Sequence, residues 1–259
     1  MNHQIPAWIV LHIPHDSVRI PDDLRYQFAL SDSELANELL KMTDRHTREL
    51  FSNGVTQQHI AHAKVSRLVV DVERFADDTQ ESMAKAGMGA VYERTHLGCT
   101  LRHPITASER AKLIADWYTP HHELLTKKVE NALVLCGKCL IVDCHSFASV
   151  PLPHEPDQSP DRPQFCIGTD EFHTPTQLSD YLIHALQREG YTARKDIPFD
   201  DALVPMEFYK RDKRVSSVMI EVRRDLYMNE ATGEKTCQFM QISQTIHRLL
   251  AGCASALPI

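Results

Sequence analysis

Three short runs along the chain share one build: a continuous apolar, β-branched segment that stops at a residue able to bind a metal or move a proton. Leu140-Ile141-Val142 runs into Asp143-Cys144-His145-Ser146, Trp8-Ile9-Val10-Leu11 leads to His15-Asp16-Ser17, and Ser217-Val218-Met219-Ile220 reaches Glu221. Continuous apolar strands are covered by helices on both faces, and ligands of open parallel sheets bind outside the carboxyl ends of the strands. The pattern therefore predicts three strands whose ends converge on one crevice.

Elsewhere the periodicity changes. Ser31-Asp32-Ser33-Glu34 has the form of a capping box, and Leu35, Leu39, Leu40 and Met42 continue at helical spacing toward Asp44. Residues 66–75 read as a further apolar strand that leaves Asp71, Glu73 and Arg74 at its end, whereas residues 76–104, with Gly87, Gly89 and Gly98, have little periodicity. A long irregular segment in a compact fold is expected to be an active-site loop or lid. Residues 106–136 read as helical with an interruption near Pro120, and the five prolines of residues 151–163 predict an extended surface loop. A strand over 165–168, a helix over 176–190 and a terminal amphipathic helix over 234–251, burying Phe239, Ile242, Ile246 and Leu249, complete the pattern. Strands alternating with helices give an α/β fold with a largely parallel sheet and right-handed crossovers.

The 259 residues hold no Pro/Gly/Ser-rich linker, so one domain spanning 1–259 is expected, with 42% apolar residues to fill its core. A net charge of −7 argues against a phosphate backbone as the main partner. The first residues lack a basic and then apolar leader, and no stretch reaches the roughly 18 apolar residues of a membrane span. A cytoplasmic protein without a membrane or nucleic-acid partner follows as an expectation. Seven cysteines without a secretion signal predict free thiols. The lone Cys136-Gly137-Lys138-Cys139 is half of a structural zinc motif; its plainer interpretation is a glycine helix stop followed by strand residues.

Two imidazoles and a separate carboxylate are the parts of a hydrolytic zinc site: neutral nitrogens to hold the ion, an open position for water, and a base that is not itself a ligand. Taken singly, His15 is equally a turn histidine and His145 a strand-end histidine bonded to backbone.

Together the segments Ile13-Pro14-His15-Asp16-Ser17, Ser66-Arg67 with Asp71-Val72-Glu73-Arg74-Phe75, Asp143-Cys144-His145-Ser146 and Ile220-Glu221-Val222-Arg223-Arg224-Asp225-Leu226-Tyr227-Met228 resemble the N-formylglutamate amidohydrolase family. That family is similar in fold to zinc carboxypeptidases and aspartoacylase. The resemblance implies a three-layer sandwich with a mixed, largely parallel sheet, and one or two antiparallel strands beside the parallel ones.

The resemblance also implies Zn2+ held by His15, His145 and a carboxylate. The wider superfamily takes that carboxylate from a His-x-x-Glu motif, but the third residue after His15 is Val18. Asp44, in a Thr-Asp segment that the family shares, is the preferred substitute; Asp16 is adjacent to His15 and is expected to point away. Asp143, two residues before His145 and on the same strand face, would orient a ligand histidine. Glu221 corresponds to the catalytic glutamate of these hydrolases. Arg67, Arg74, Arg102 and His122 are the candidates for holding substrate, since an arginine fork bonds both oxygens of a carboxylate. Arg74 matches the arginine of the Asp-Leu-Asn-Arg motif in aspartoacylase relatives, with Glu73 where that motif has asparagine. The implied activity is hydrolysis of an N-formyl or short N-acyl amino acid, N-formyl-L-glutamate first. A carboxypeptidase-like or aspartoacylase-like hydrolase and an inactive ligand-binding relative are the alternatives.

Overall fold

A computed structural model describes residues 5–257 of the chain. Its centre is a six-stranded sheet of β1 (Ile9–Ile13), β2 (Ile60–His62), β3 (Cys139–Phe147), β4 (Phe165–Gly168), β5 (Ala193–Lys195) and β6 (Val215–Arg223), in the spatial order β2-β1-β3-β6-β4-β5. The first four strands of that order are mutually parallel. β4 runs antiparallel to β6, and β5 follows β4. The sheet is thus mixed and mostly parallel, flanked by helices.

Strand alternation sorts the side chains onto two faces. Leu11 and Ile13 of β1, Leu140, Val142 and Cys144 of β3, and Val218, Ile220 and Val222 of β6 share one cluster with α2 (Thr47–Ser52), α5 (Thr176–Arg188) and α6 (Phe239–Ala256). On the other face Val10, Ile141 and Val215 meet Leu125, Val129 and Ala132 of α4 (Thr119–Cys136). Leu125 and Val129 are fully buried, and each such side chain contributes about 1.5–3 kcal/mol of transfer free energy. Continuing along this second face in steps of two, the strands carry His12, Asp143, His145 and Glu221 just past the end of the helix-covered core. A further cluster joins α1 (Asp32–Met42) and α3 (Ala107–Leu113) to Leu68, Val69, Met88, Tyr92 and Leu101, and walls in the strand ends.

The capping box at Ser31 and Glu34 forms as expected and α1 begins at Asp32. Residues 66–75 form turns rather than the strand that their apolar run predicts. The hydroxyl of Ser66 accepts the Leu68 amide at 3.1 Å, its carbonyl accepts that of Val69 at 2.9 Å, and an Asp71 carboxylate oxygen accepts the Glu73 amide at 3.0 Å. Leu68, Val69 and Val70 of this run are buried in the α1/α3 cluster, and a buried turn has the same hydrophobicity as a buried strand. The sheet edge goes instead to the three-residue β2. At the C-terminus, Lys235 bridges to Met228 and Thr236 donates to the Tyr227 carbonyl, which delays α6 to Phe239.

The interruption near Pro120 is a π turn over Ile114–Tyr118, in which the Thr119 amide reaches the Ile114 carbonyl five residues back. Such an inserted residue re-phases the helix after it, and Tyr118 and His122 both face the cavity described below. Gly137, at a φ of 74°, stops α4, and Cys139 opens β3. All seven cysteines are free. Among the described residues no helix is long and apolar enough to cross a membrane.

Candidate active site

His15 lies just beyond the end of β1. Its Nε2 is 2.8 Å from Asp71 Oδ1, while its Nδ1 is buried without a partner. Glu73 Oε2 stands 3.7 Å and Asp44 Oδ2 3.8 Å from that free nitrogen. His145 faces it from β3, with ring centroids 5.1 Å apart. Nδ1 of His145 bonds Asp44 Oδ2 at 3.1 Å, and its Nε2 lies 3.0 Å from both Glu73 Oε1 and Asp143 Oδ1.

Asp44 follows α1 and is drawn in by its own amide, which donates to the His15 carbonyl at 3.0 Å. Its Oδ1 accepts Arg224 at 2.8 Å and its Oδ2 also accepts the Ser146 amide at 3.2 Å. Asp44 thus touches both histidines but is occupied by Arg224, Ser146 and His145. Glu73 has no comparable occupation: the Asx turn at Asp71 aims it between the histidines. The donor atoms of His15, Glu73 and His145 all lie within 4.8 Å of one another. Asp16 points away, toward His62 Nε2 at 3.6 Å.

The charge distribution asks for a cation. Arg224 neutralises Asp44 and Arg67 neutralises Asp71. Among the described residues, the only basic side chains within 4.0 Å of the Asp143 and Glu73 carboxylates are histidines. Burial opposes protonation of His145, yet Glu73 and Asp143 override it and raise its pKa well above the ordinary value. Burial likewise opposes ionisation of Asp143, and His145 and His12 overcome it, holding that carboxyl well below its usual range. Two uncompensated carboxylates, two imidazoles and an unpartnered buried nitrogen fit a divalent ion with mixed N and O ligands.

Glu221 sits opposite His145 in the register of β3 and β6 and is 7% exposed, with Oε2 unpartnered. Burial, only partly offset by His145, pushes its pKa up to about 8. Its proton affinity thus lies close to neutral pH, and it sits across from the paired histidines.

Arg67 and Arg74 both line the cavity above these groups, which has a volume of about 1320 Å³. Arg67 bonds Asp71 Oδ2 at 2.7 Å and the Tyr92 hydroxyl at 3.1 Å, so it is largely engaged. Arg74 is freer: its nearest carboxylate oxygens are 3.6 and 3.9 Å away, and its Nε has no partner. His122 donates from Nε2 to the Val72 carbonyl at 2.8 Å and stacks on Tyr118 with centroids 4.2 Å apart. Arg102 does not reach the site. It is 3% exposed, and its guanidinium is spent on the carbonyls of Leu68, Val69 and Tyr92 and on Gln27. Its expected role in holding substrate is corrected to tying the 66–75 turns to the loop after them. That loop does border the cavity, through Gln80, Glu81, Ser82 and Met83.

The expectations from sequence omitted Glu73 as a site carboxylate, Arg224 as the partner of Asp44, and the pair His12 and His121, whose Nε2 atoms are 2.8 Å apart. Glu73 was visible next to Asp71, but a strand assignment hid the direction it takes.

The chain is similar to several known proteins. N-formylglutamate deformylase of Pseudomonas aeruginosa is 25% identical over 232 residues, covering 86% of this chain and 82% of that protein. The crystal structure of N-formylglutamate amidohydrolase from Ralstonia eutropha superposes with a TM-score of 0.82 at 22% identity, covering 96% of this chain and 93% of the other. A gene product of Agrobacterium tumefaciens superposes with a TM-score of 0.67 at 20% identity, covering 98% and 93%. The family model for N-formylglutamate amidohydrolase matches residues 7–228, from the residue before Trp8 to Met228, just past the 3-10 turn that follows β6, and the chain belongs to that family.

Proposed function

We propose that the protein is a zinc-dependent amidohydrolase that cleaves N-formyl-L-glutamate to L-glutamate and formate. The observation that carries this is the unpartnered, buried Nδ1 of His15, with Glu73 and His145 around it and Glu221 opposite His145. His15, Glu73 and His145 would hold the ion, and Asp44 and Asp71 would orient the two histidines by accepting from their far nitrogens. Asp44, the ligand expected from sequence, becomes an orienting group because Arg224 and Ser146 already engage its oxygens. Bound there, Zn2+ would supply an acidic water, of pKa about 7, and a Lewis acid for the scissile carbonyl.

In its ionised form, Glu221 takes on Oε2 the proton released as water adds to the formyl carbon. It then delivers that proton to the amide nitrogen as the C–N bond breaks, leaving formate and a free amine. A carboxyl raised to about 8 by burial is suited to both steps, because its proton affinity lies close to that of the groups it serves. Arg74, with an unpartnered Nε at the cavity wall, clamps a carboxylate of the substrate, and Arg67 supports it through their shared contact with Asp71. His122 stays neutral beside them, since burial lowers its pKa to about 4.

One observation favours a second substrate class. A cavity of about 1320 Å³ exceeds the roughly 300–1,000 Å³ of pockets that enclose drug-sized ligands. A larger N-acyl amino acid or a short peptide fits that space better than a formyl amino acid. The test is a panel of N-formyl, N-acetyl and longer N-acyl glutamates and N-formyl peptides, assayed with zinc-loaded protein for released acid and amine. Fastest release of formate from N-formyl-L-glutamate is the expected result; absence of turnover on every member with zinc bound would reject the hydrolase assignment.

A further inference from the structure

Three imidazoles, not two, converge on Glu73. His145 Nε2 is 3.0 Å and His12 Nδ1 is 3.6 Å from its Oε1, and His15 Nδ1 is 3.7 Å from its Oε2. Each ring also has its far nitrogen held: His15 by Asp71 at 2.8 Å, His145 by Asp44 at 3.1 Å, and His12 by His121 Nε2 at 2.8 Å. A far nitrogen bonded to a fixed partner is the usual mark of a histidine that ligates metal through the other nitrogen. His12 carries that mark as fully as the other two.

His12 is also next to a second carboxylate. Its Nδ1 is 2.7 Å from Asp143 Oδ1, and the other oxygen of Asp143 is turned away to accept the Leu203 amide at 3.1 Å. The donor atoms of His12, Glu73 and Asp143 lie within 4.8 Å of one another, as those of His15, Glu73 and His145 do. In tetrahedral geometry, ligands about 2.0–2.2 Å from a zinc ion stand about 3.3–3.6 Å from each other, so the 3.6 Å separation already fits and the 2.7 Å one must open by less than about 1 Å. Glu73 Oε2 faces His15 at 3.7 Å, and Oε1 stands between His145 at 3.0 Å and His12 at 3.6 Å, so the one carboxylate is within reach of an ion on either side. Asp143 lines the cavity, so an ion has a way in.

We propose that His12, Glu73 and Asp143 form a second divalent-cation site, joined by the Glu73 carboxylate to the site at His15 and His145. The arrangement is a two-ion centre, in which paired ions lie roughly 3.5–4 Å apart. It rests on the metal assignment made above for His15, Glu73 and His145 and extends it to residues outside that set.

The test is a count. The full chain is stripped of metal with a chelator, equilibrated with Zn2+, freed of excess ion and analysed for zinc per chain; in parallel it is loaded with Mn2+ and examined by electron paramagnetic resonance. Two zinc ions per chain and the multiline spectrum of an exchange-coupled Mn2+ pair are expected. His12→Phe, which fills the volume without offering a ligand, should bind one. One zinc in the parent chain, or two uncoupled Mn2+ ions, would overturn the second site and leave the first standing, whereas no bound ion would overturn both. A folded His12→Phe chain that still holds two ions would also overturn it. Because His12 is fully buried, the spectrum of the parent chain decides the matter if the variant does not fold.

Discussion

Glu221 and His145 are direct partners in the register of β6 and β3, so the strand pairing itself sets the proton-transferring carboxyl beside the histidine site. The two backbones are fixed by a nine-residue parallel ladder, from Cys139 opposite Val215 to Phe147 opposite Arg223. Glu221→Gln keeps the shape of the side chain and removes its basicity. We expect kcat to fall about 10²–10⁴-fold with zinc content unchanged. Loss of zinc in that variant would make Glu221 a ligand.

Glu73 and Asp44 are separated by what else each one touches. Glu73→Gln should weaken zinc retention, measured by competition with a chelator, with little loss of stability in the metal-free chain, because no arginine or lysine depends on it. Asp44→Asn should lower both. It leaves the Arg224 guanidinium buried beside an amide, and breaking a buried ion pair costs about 3–5 kcal/mol, while removal of an orienting group weakens metal binding about 10–100-fold. Equal zinc retention in Glu73→Gln and the parent chain would return the ligand role to Asp44.

Arg74 and Arg102 should behave in opposite ways. Arg74→Lys keeps the charge but loses the planar fork, so kcat/KM should drop for a substrate bearing the clamped carboxylate. It should change little for an analogue whose carboxylate is an amide, as coupled changes do. Additive losses in that cycle would reject the contact. Arg102→Lys should leave kcat/KM unaltered while the unfolding temperature falls, because three backbone carbonyls and Gln27 lose donors in a buried position.

Acid should destabilise the fold through His122. Its pKa is lowered by burial to about 4 in the folded chain, against 6.5 for the free side chain, so the unfolded chain binds the proton more readily. The contribution is complete above pH 6.5 and is lost as pH falls from there toward 4, amounting to no more than about 3 kcal/mol. Denaturant unfolding at pH 7 and pH 4.5 measures it: His122→Gln should show a smaller difference between the two than the parent chain does. An unchanged difference would mean that His122 is protonated in the folded state.

Local pattern determined much of this protein. The apolar runs ending at His15, His145 and Glu221 are strands or strand exits because continuous β-branched segments are stable only inside a covered sheet. The Ser31 capping box and the Gly137 helix stop act through residues a few positions away. Parity along each strand was also legible, and it places Asp143 and His145 on one face. The Glu73 position was not, because its direction depends on a turn closed by Asp71, and Asp71 is itself fixed by Arg67, Tyr92 and His15. A local hydrophobicity pattern does not distinguish a buried turn from a buried strand. The part played by Asp44 was likewise decided by a residue 180 positions away, Arg224, whose guanidinium neutralises it. Sequence determined which side chains reach the strand ends; which of them face the open cavity and which are held by a distant charge was decided by tertiary packing, since buried charges settle only where partners from other segments meet them.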